Sequence, residues 1–162
     1  MLPTAKNTNL LIFLGCASAM AVAYYMQYQM GLEPCPLCMT QRIFVIATGL
    51  VALVAFIHAT ISQHHKFYGA LSLLTSVTGG GFSMRQLYLQ SLPPEQAPAC
   101  GPGLGYMLEN FPFMQALEIM LKGDGNCAEV VWTFGGISIP GWTLVAFTGL
   151  AAISIWQLVR KN

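Results

Sequence analysis

Charged residues are scarce in this chain. Aspartate, glutamate, lysine and arginine make up 8% of its 162 residues, against about 25% in an ordinary soluble domain. Hydrophobic residues reach 55%, so too few charges remain to cover the surface of a water-soluble fold. A disordered chain is excluded as well, because disorder requires low hydrophobicity. The net charge of +1 supplies no basic field, which excludes a nucleic-acid binder. An integral membrane protein remains.

Four apolar windows are long enough to cross a bilayer, whose core of about 30 Å needs roughly 20 helical residues. They cover residues 10–27, 43–61, 67–89 and 142–159. The third window contains Arg85 and three consecutive glycines at 79–81, which suit close packing between helices. We therefore predict an all-α membrane protein, a single domain over residues 1–162 built as a four-transmembrane-helix bundle.

The few charges are distributed unevenly among the connections between these windows. Basic residues without a neighbouring acid lie on the two tails and in the turn at 63–66. All six acids lie in the first and third connections: Glu33, Glu95, Glu109, Glu118, Asp124 and Glu129. By the positive-inside rule, both termini and that turn face the cytoplasm. The loops at about 28–42 and 90–141 then lie on the opposite side of the membrane.

The long third connection contains one segment with helical periodicity. Its apolar residues are Phe113, Met114, Leu117, Met120 and Leu121, with Gln115, Glu118 and Lys122 on the other face. Pro112 suits the first position of a helix and Gly123 suits its end. We predict a short amphipathic helix that rests on the membrane surface; packing against the bundle is the alternative. Trp132, Phe134 and Trp142 are expected to anchor the returning chain at the interface.

Four of the five cysteines lie in the two connections that carry the acids. Cys35 and Cys38 form a Cys-Pro-Leu-Cys motif, and Cys100 and Cys127 lie in the long loop. We interpret Cys16, inside the first window, as a buried and inert residue. A four-thiolate zinc site is disfavoured, because the loop cysteines do not form a second close pair. Two structural disulfides stay possible, and that role fits the loop cysteines better than the motif.

A bridge across only two residues stabilises a fold little, because it closes a very small loop. Pairs with this spacing are more often redox-active. Cys38 stands where the second helix is expected to begin, so the helix dipole favours its thiolate. Pro34 and Pro36 are expected to keep the motif outside that helix. Arg42, one turn further on, leans back toward the Cys38 sulfur; anchoring at the membrane interface is its alternative role.

Glu-Pro-Cys-Pro-Leu-Cys at 33–38, Arg42, Gly-Asn-Cys-Ala-Glu at 125–129 and the four spans together resemble the DsbB family. Members of that family are disulfide bond formation proteins of the bacterial inner membrane. The resemblance covers essentially the whole chain. It implies an enzyme that reoxidises a soluble periplasmic dithiol oxidase, DsbA, and passes the electrons to a membrane quinone, either ubiquinone or menaquinone.

The resemblance also implies roles for individual residues of this chain. The partner's thiolate would attack Cys100 and form a transient mixed disulfide, which releases Cys127. Exchange with the Cys35–Cys38 bridge would then re-form the loop disulfide. Cys38 would face the quinone ring, and Arg42 would stabilise charge at the quinone or at the Cys38 thiolate.

One departure from the family and two alternative functions stay open. Some members carry a histidine near the outer end of the third span, where this chain reads Leu-Tyr-Leu-Gln-Ser at 87–91, so Gln90 inherits no role. A vitamin K epoxide reductase-like enzyme is one alternative, although its C-x-x-C normally lies late in the chain. A non-catalytic membrane scaffold with disulfide-clamped loops is the other.

Overall fold

The computed structural model describes residues 5–58, 65–93, 95–101, 106 and 109–160. The helices in these ranges are α1 (Ala5–Gln29), α2 (Pro36–His58), α3 (His65–Ser91), α4 (Phe113–Lys122) and α5 (Ile139–Val159). A 3-10 turn at Gly125–Cys127 and a hairpin of β1 (Thr133–Phe134) and β2 (Ile137–Ser138) separate α4 from α5. Part of the predicted turn at 63–66 lies outside the described residues.

Three of the described helices are long and apolar enough to cross a membrane: Lys6–Gln29, Pro36–His58 and Ile139–Val159. The chain is therefore a mainly helical membrane protein. Helix α3 has 27 residues, but Ser72, Ser76, Ser83 and Gln86 lower its hydropathy. All four are buried, so these polar groups face protein. The four-span bundle stays a prediction.

Helix α2 begins earlier than its apolar window. Its first residue is Pro36, because a proline in the first turn needs no partner for its missing N–H. The expectation that the whole motif lies outside the helix is therefore wrong for Cys38, which is in the first turn, while Cys35 precedes the helix. The connection predicted at 28–42 is correspondingly shorter, with non-helical backbone over residues 30–35.

The helices pack in chain order: α1 along α2, α2 along α3, and α3 along α5. The close approach of α3 to α5 depends on Gly79, since a Cβ there would clash with the ring of Phe147. A Cβ at Gly80 would meet the same phenylalanine at ordinary contact distance, whereas nothing lies within 4 Å of a Cβ at Gly81. The prediction of close packing is thus confirmed for the first two glycines.

Away from the cysteine motif, α1 also meets α5. The Gln157 side chain donates a hydrogen bond to Asn9 Oδ1 at 2.9 Å, and both residues are buried. Cys16 lies in a buried cluster with Ile12 and Ala52. The interpretation of Cys16 as a buried residue is confirmed.

Helix α4 confirms the predicted short helix of the long loop. Its last turn is held by two side chains, because Thr40 Oγ1 donates to the Met120 carbonyl at 2.9 Å and Arg85 Nε donates to the Lys122 carbonyl at 2.8 Å. These bonds satisfy carbonyls that a helix end leaves without internal partners. Gly123 ends the helix with φ +79°, and a Cβ there would lie 2.6 Å from Leu37 Cδ1.

Helix α4 turns one side to the bundle and exposes the other. Ala116 is buried, whereas Phe113 and Met114 are exposed by 74% and 71%. Exposed apolar side chains of this size suit contact with a membrane surface. That contact stays a prediction.

The small hairpin corrects the all-α expectation. Gly135 and Gly136 form its turn with φ +60° and +80°, the paired positive values that two-residue hairpins require. Trp132 stacks on Phe134 with ring centroids 6.1 Å apart, and Trp142 Nε1 donates to the Phe134 carbonyl at 3.1 Å. The three aromatic residues predicted as anchors therefore lie in one cluster.

Candidate active site

The Cys-Pro-Leu-Cys motif brings two sulfurs together at the start of α2. The Sγ atoms of Cys35 and Cys38 are 3.1 Å apart, and the Cys38 N–H donates to Cys35 Sγ at 3.4 Å. Leu37 between them is fully buried, which fixes the motif against the bundle. All five cysteines are free thiols in this structure. We call Cys35 and Cys38 the membrane pair, and Cys100 and Cys127 the loop pair.

Cys127 reaches the membrane pair through the 3-10 turn that follows α4. It is fully buried in a cluster with Leu37 and Leu89, and Cys35 packs against that cluster. Hydrogen bonding with Cys35 lowers the pKa of the Cys127 thiol. The same bond, together with the nearby Cys38 sulfur, raises the pKa of Cys35. One sulfur of the loop pair is therefore in position to react with Cys35.

Cys100 lies on the other side of the same turn and is exposed. Its segment is held by two hydrogen bonds: the Gly125 N–H donates to the Ala99 carbonyl at 3.0 Å, and Asn126 Nδ2 donates to the Gly101 carbonyl at 3.1 Å. The backbone around Cys100 is neither helix nor strand. A soluble thiol can thus approach this sulfur, whereas Cys127 is shielded.

Arg42 points toward α1. Its Nη2 donates to the Ala23 carbonyl at 3.2 Å, its Nη1 donates to Gln27 Oε1, and its guanidinium lies 5.6 Å from the centre of the Tyr24 ring. Among the hydrogen bonds of the described residues, Arg42 makes none to the Cys38 sulfur. Its predicted role at the thiolate therefore stays a prediction.

Two glutamines at the membrane pair escaped sequence reasoning. Gln86 of α3 is 3% exposed, and its Nε2 lies 3.2 Å from Cys38 Sγ and 3.3 Å from Cys35 Sγ. Gln41 of α2 donates through Nε2 to Gln86 Oε1 at 2.7 Å. An uncharged polar side chain inside an apolar span is a signal that could have drawn attention to Gln86.

A cavity of about 520 Å³ lies beside the membrane pair. Its lining includes residues of α1 and α5, and Trp132 and Phe134 of the loop also line it. The walls are mainly apolar, and the polar side chains include Cys38, Gln41, Arg42, Gln86 and Gln90. Apolar walls with a few convergent polar groups are typical of sites that bind small organic molecules.

Gln90 also lines the cavity, and its amide is bonded to the returning loop. Its Oε1 accepts from Ser138 Oγ at 2.9 Å, and its Nε2 donates to the Glu129 carbonyl at 3.3 Å. Both ends of the side chain therefore fasten the loop to α3.

Comparison with known proteins adds to this geometry. Residues 5–157 match the family model described as disulfide bond formation protein DsbB. The chain is 54% identical over 160 residues to disulfide bond formation protein B of Saccharophagus degradans, which covers 99% of this chain and 96% of that protein. It is 51% identical over 158 residues to the protein of that name from Hahella chejuensis, with coverage of 98% and 96%.

Proposed function

Because the chain belongs to the DsbB family and is a membrane disulfide bond formation protein, we propose that it oxidises a periplasmic DsbA-type dithiol and passes the electrons to a membrane quinone. One contact supports this function above all. Cys35 packs against the buried cluster that contains Cys127 of the long loop, while Cys38 lines the apolar cavity. The family match gives no support to the epoxide reductase-like or scaffold alternatives.

The first exchange takes place at Cys100. In the oxidised protein, a thiolate of the reduced partner attacks the Cys100 sulfur of the Cys100–Cys127 disulfide. A mixed disulfide forms between the partner and Cys100, and Cys127 leaves as a thiolate. The partner's second thiolate then attacks the partner's own sulfur in the mixed disulfide and releases Cys100. The partner loses two electrons and two protons, and the loop pair takes up the two electrons. The exposure of Cys100 supports its role as the site of attack.

The second exchange takes place at Cys35. The Cys127 thiolate attacks Cys35 in the disulfide of the membrane pair, and Cys38 leaves with the electron pair. Cys100 then attacks Cys127, which re-forms the loop disulfide and releases Cys35. The lowered pKa of Cys127 favours the attacking thiolate, and the raised pKa of Cys35 favours its protonation once released.

DsbA-type oxidases have a reduction potential of about −120 mV, which is high for a dithiol. Electrons taken from such a partner therefore need an acceptor of comparably high reduction potential beyond the membrane pair. A quinone supplies a two-electron, two-proton acceptor when it is bound. The cavity fits such a group, since its walls are mainly apolar and the polar residues Arg42 and Gln41 line the same space. Arg42 would hold a quinone oxygen, and Trp132 and Phe134 would exclude water from the ring.

We also assign α3 as a fourth span, with both termini in the cytoplasm and the cysteine loops in the periplasm. Polar groups of α3 bond across helix contacts: Thr75 accepts from Thr48 Oγ1 of α2 at 2.8 Å, and Ser83 Oγ lies 3.2 Å from Thr143 Oγ1 of α5. Such pairing lets a helix of moderate hydropathy cross a bilayer.

Anaerobic mixing of a reduced DsbA-type partner, this protein and a ubiquinone or menaquinone analogue tests the proposal through the quinone absorbance. The wild type and the matched control Cys16→Ser should both consume quinone in proportion to the partner thiol oxidised. The folded Cys38→Ser variant should consume none. Quinone consumption by Cys38→Ser would refute the mechanism, and none by the wild type would favour the scaffold.

The order of exchange has its own test. The Cys100 thiolate of a Cys127→Ser variant should attack the disulfide of the oxidised partner and form a mixed disulfide, which releases one partner thiolate. This complex should be trapped, because the loop has no second thiol to displace the partner. Reducing agent should dissolve the complex, and peptide mapping should locate the bridge. A bridge to Cys35 would reverse the proposed order.

A further inference from the structure

We propose that Gln86 is a catalytic residue of thiol–disulfide exchange at the membrane pair, where its side-chain amide donates hydrogen bonds to the sulfur that carries negative charge. The proposal rests on the proposed function, because it concerns the exchange in which Cys38 is released. Gln86 lies on α3, far along the chain from the motif, and its Nε2 is within 3.3 Å of both Sγ atoms of the pair.

The amide of Gln86 is held in one orientation by a chain of hydrogen bonds. Thr143 Oγ1 donates to Gln41 Oε1 at 2.6 Å, and Gln41 Nε2 donates to Gln86 Oε1 at 2.7 Å. Gln86 Oε1 also accepts from the Cys38 thiol at 3.6 Å, but its Nε2 lies closer to that sulfur, at 3.2 Å, and reaches Cys35 Sγ as well, at 3.3 Å. Gln41 and Gln86 are 2% and 3% exposed, so water competes little for these bonds. Gln41 and Thr143 are thus positioning residues for Gln86.

The chemistry requires a donor at this place. When Cys127 attacks Cys35, the bond between Cys35 and Cys38 breaks and its electron pair stays on Cys38 Sγ. A thiolate beside apolar walls is costly without hydrogen bonds. Two N–H groups of one neutral amide can serve the leaving sulfur and the attacked sulfur together. Gln86 does this as a neutral side chain. A charged side chain in its place would stabilise one redox state of the pair too strongly.

Arg42 does not supply this donor in the structure. Its hydrogen bonds go to Gln27 and to the Ala23 carbonyl on α1, and the guanidinium lies over the Tyr24 ring. Gln86, on another helix, is the residue whose side-chain N–H group lies within hydrogen-bond distance of the Cys38 sulfur.

Alkylation of Cys38 in the reduced protein, without partner or quinone, tests this role. The rate constant at neutral pH is followed by mass spectrometry of the Cys38 peptide. Gln86→Leu should slow it about 10- to 100-fold, which corresponds to the loss of a hydrogen bond to a charged group. Gln41→Leu should cause a smaller loss, because the amide remains but is no longer held.

Two controls keep the result interpretable. Thr78→Val removes a hydroxyl from the same helix away from the membrane pair and should leave the rate unchanged. Alkylation of exposed Cys100 should be equal in all variants. If Gln86→Leu does not fold, Gln86→Met preserves the length of the side chain without its donors. An unchanged Cys38 rate in the folded Gln86 variant would overturn the proposal.

The outcome is separable from that of the proposed function. A wild-type protein that fails to reduce quinone would refute the electron acceptor, while a Gln86 effect on Cys38 alkylation would still stand. Normal quinone reduction with no Gln86 effect on alkylation would refute only the role of Gln86.

Discussion

Replacing Gly125 with alanine should separate the two segments that carry the loop pair. An alanine Cβ at this position would lie 2.5 Å from the Pro98 carbonyl oxygen and 2.8 Å from the Cys100 nitrogen. Both contacts are backbone atoms, which cannot rotate away as a flexible side chain can. The segment at 98–101 must therefore move off the 3-10 turn.

The size of the effect follows from the bonds that are lost. The segment is held by the hydrogen bonds from the Gly125 N–H to Ala99 and from Asn126 to Gly101. Each bond contributes about 1 kcal/mol, so losing both costs about 2 kcal/mol. This lowers the population in which the segment at 98–101 contacts the 3-10 turn by a factor of about 30. The loop disulfide should become easier to reduce by a similar factor, which is about 40 mV for a two-electron couple.

Equilibration of the loop pair with glutathione buffers measures this change. The membrane pair is replaced by serines in every arm, so that only the loop disulfide is titrated, and alkylation followed by mass analysis gives the oxidised fraction. The control Asn126→Ala removes the bond to Gly101, together with a bond to Asp124 within the turn, without a clash. It removes only one of the two bonds that hold the Cys100 segment and should shift the equilibrium about 5-fold. A Gly125→Ala protein with the wild-type equilibrium would show that docking of the segment does not govern the loop disulfide.

Three further changes test other parts of the structure. Gly79→Ala should lower the free energy of unfolding by about 1–3 kcal/mol, because its Cβ would enter the contact with α5. The control Gly81→Ala places its Cβ in open space and should not lower it. Unfolding in detergent compares the two variants, and equal losses of stability would refute the packing. Arg42→Ala should weaken the binding of a quinone analogue at least about tenfold, and the affinity of Arg42→Lys should lie between those of Arg42→Ala and the wild type. An unchanged affinity in Arg42→Ala would mean that the guanidinium only links α1 to α2. Cys35→Ala should raise the pH at which Cys127 ionises, because hydrogen bonding with Cys35 lowers the pKa of the Cys127 thiol. The thiolate absorbance of the reduced protein should then appear at higher pH, and an unchanged titration curve would contradict the contact.

Composition and local pattern predicted the features that depend on them. Scarce charge indicated a membrane protein, and the apolar periodicity of residues 113–122 predicted α4 together with its end at Gly123. The start of α2 was missed because Thr40, Gln41 and Arg42 end the apolar window there. Helical hydrogen bonding does not depend on hydropathy, so the helix continues to Pro36. The strands of the hairpin are too short to show a period.

The contacts within the site depend on tertiary packing, which local pattern does not contain. The direction of Arg42 is decided by acceptors on another helix, the Ala23 carbonyl and Gln27. Gln86 was missed for the same reason, since only the packing of α3 on α2 turns its side chain toward the sulfurs. The cysteine motif, by contrast, is a local pattern, and its chemistry could be inferred before the fold was known.

The hydrogen bonds from Thr40 and Arg85 to the last turn of α4 fasten one point of the long loop to the bundle. The chain from α4 to Cys127 is fastened to α2 and α3, the two helices that also carry Cys38 and Gln86. A pull applied at Cys100 by a departing partner is therefore opposed at these anchors before it can displace Cys127. An insertion between Lys122 and Cys127 should therefore shift the Cys127 sulfur away from Cys35.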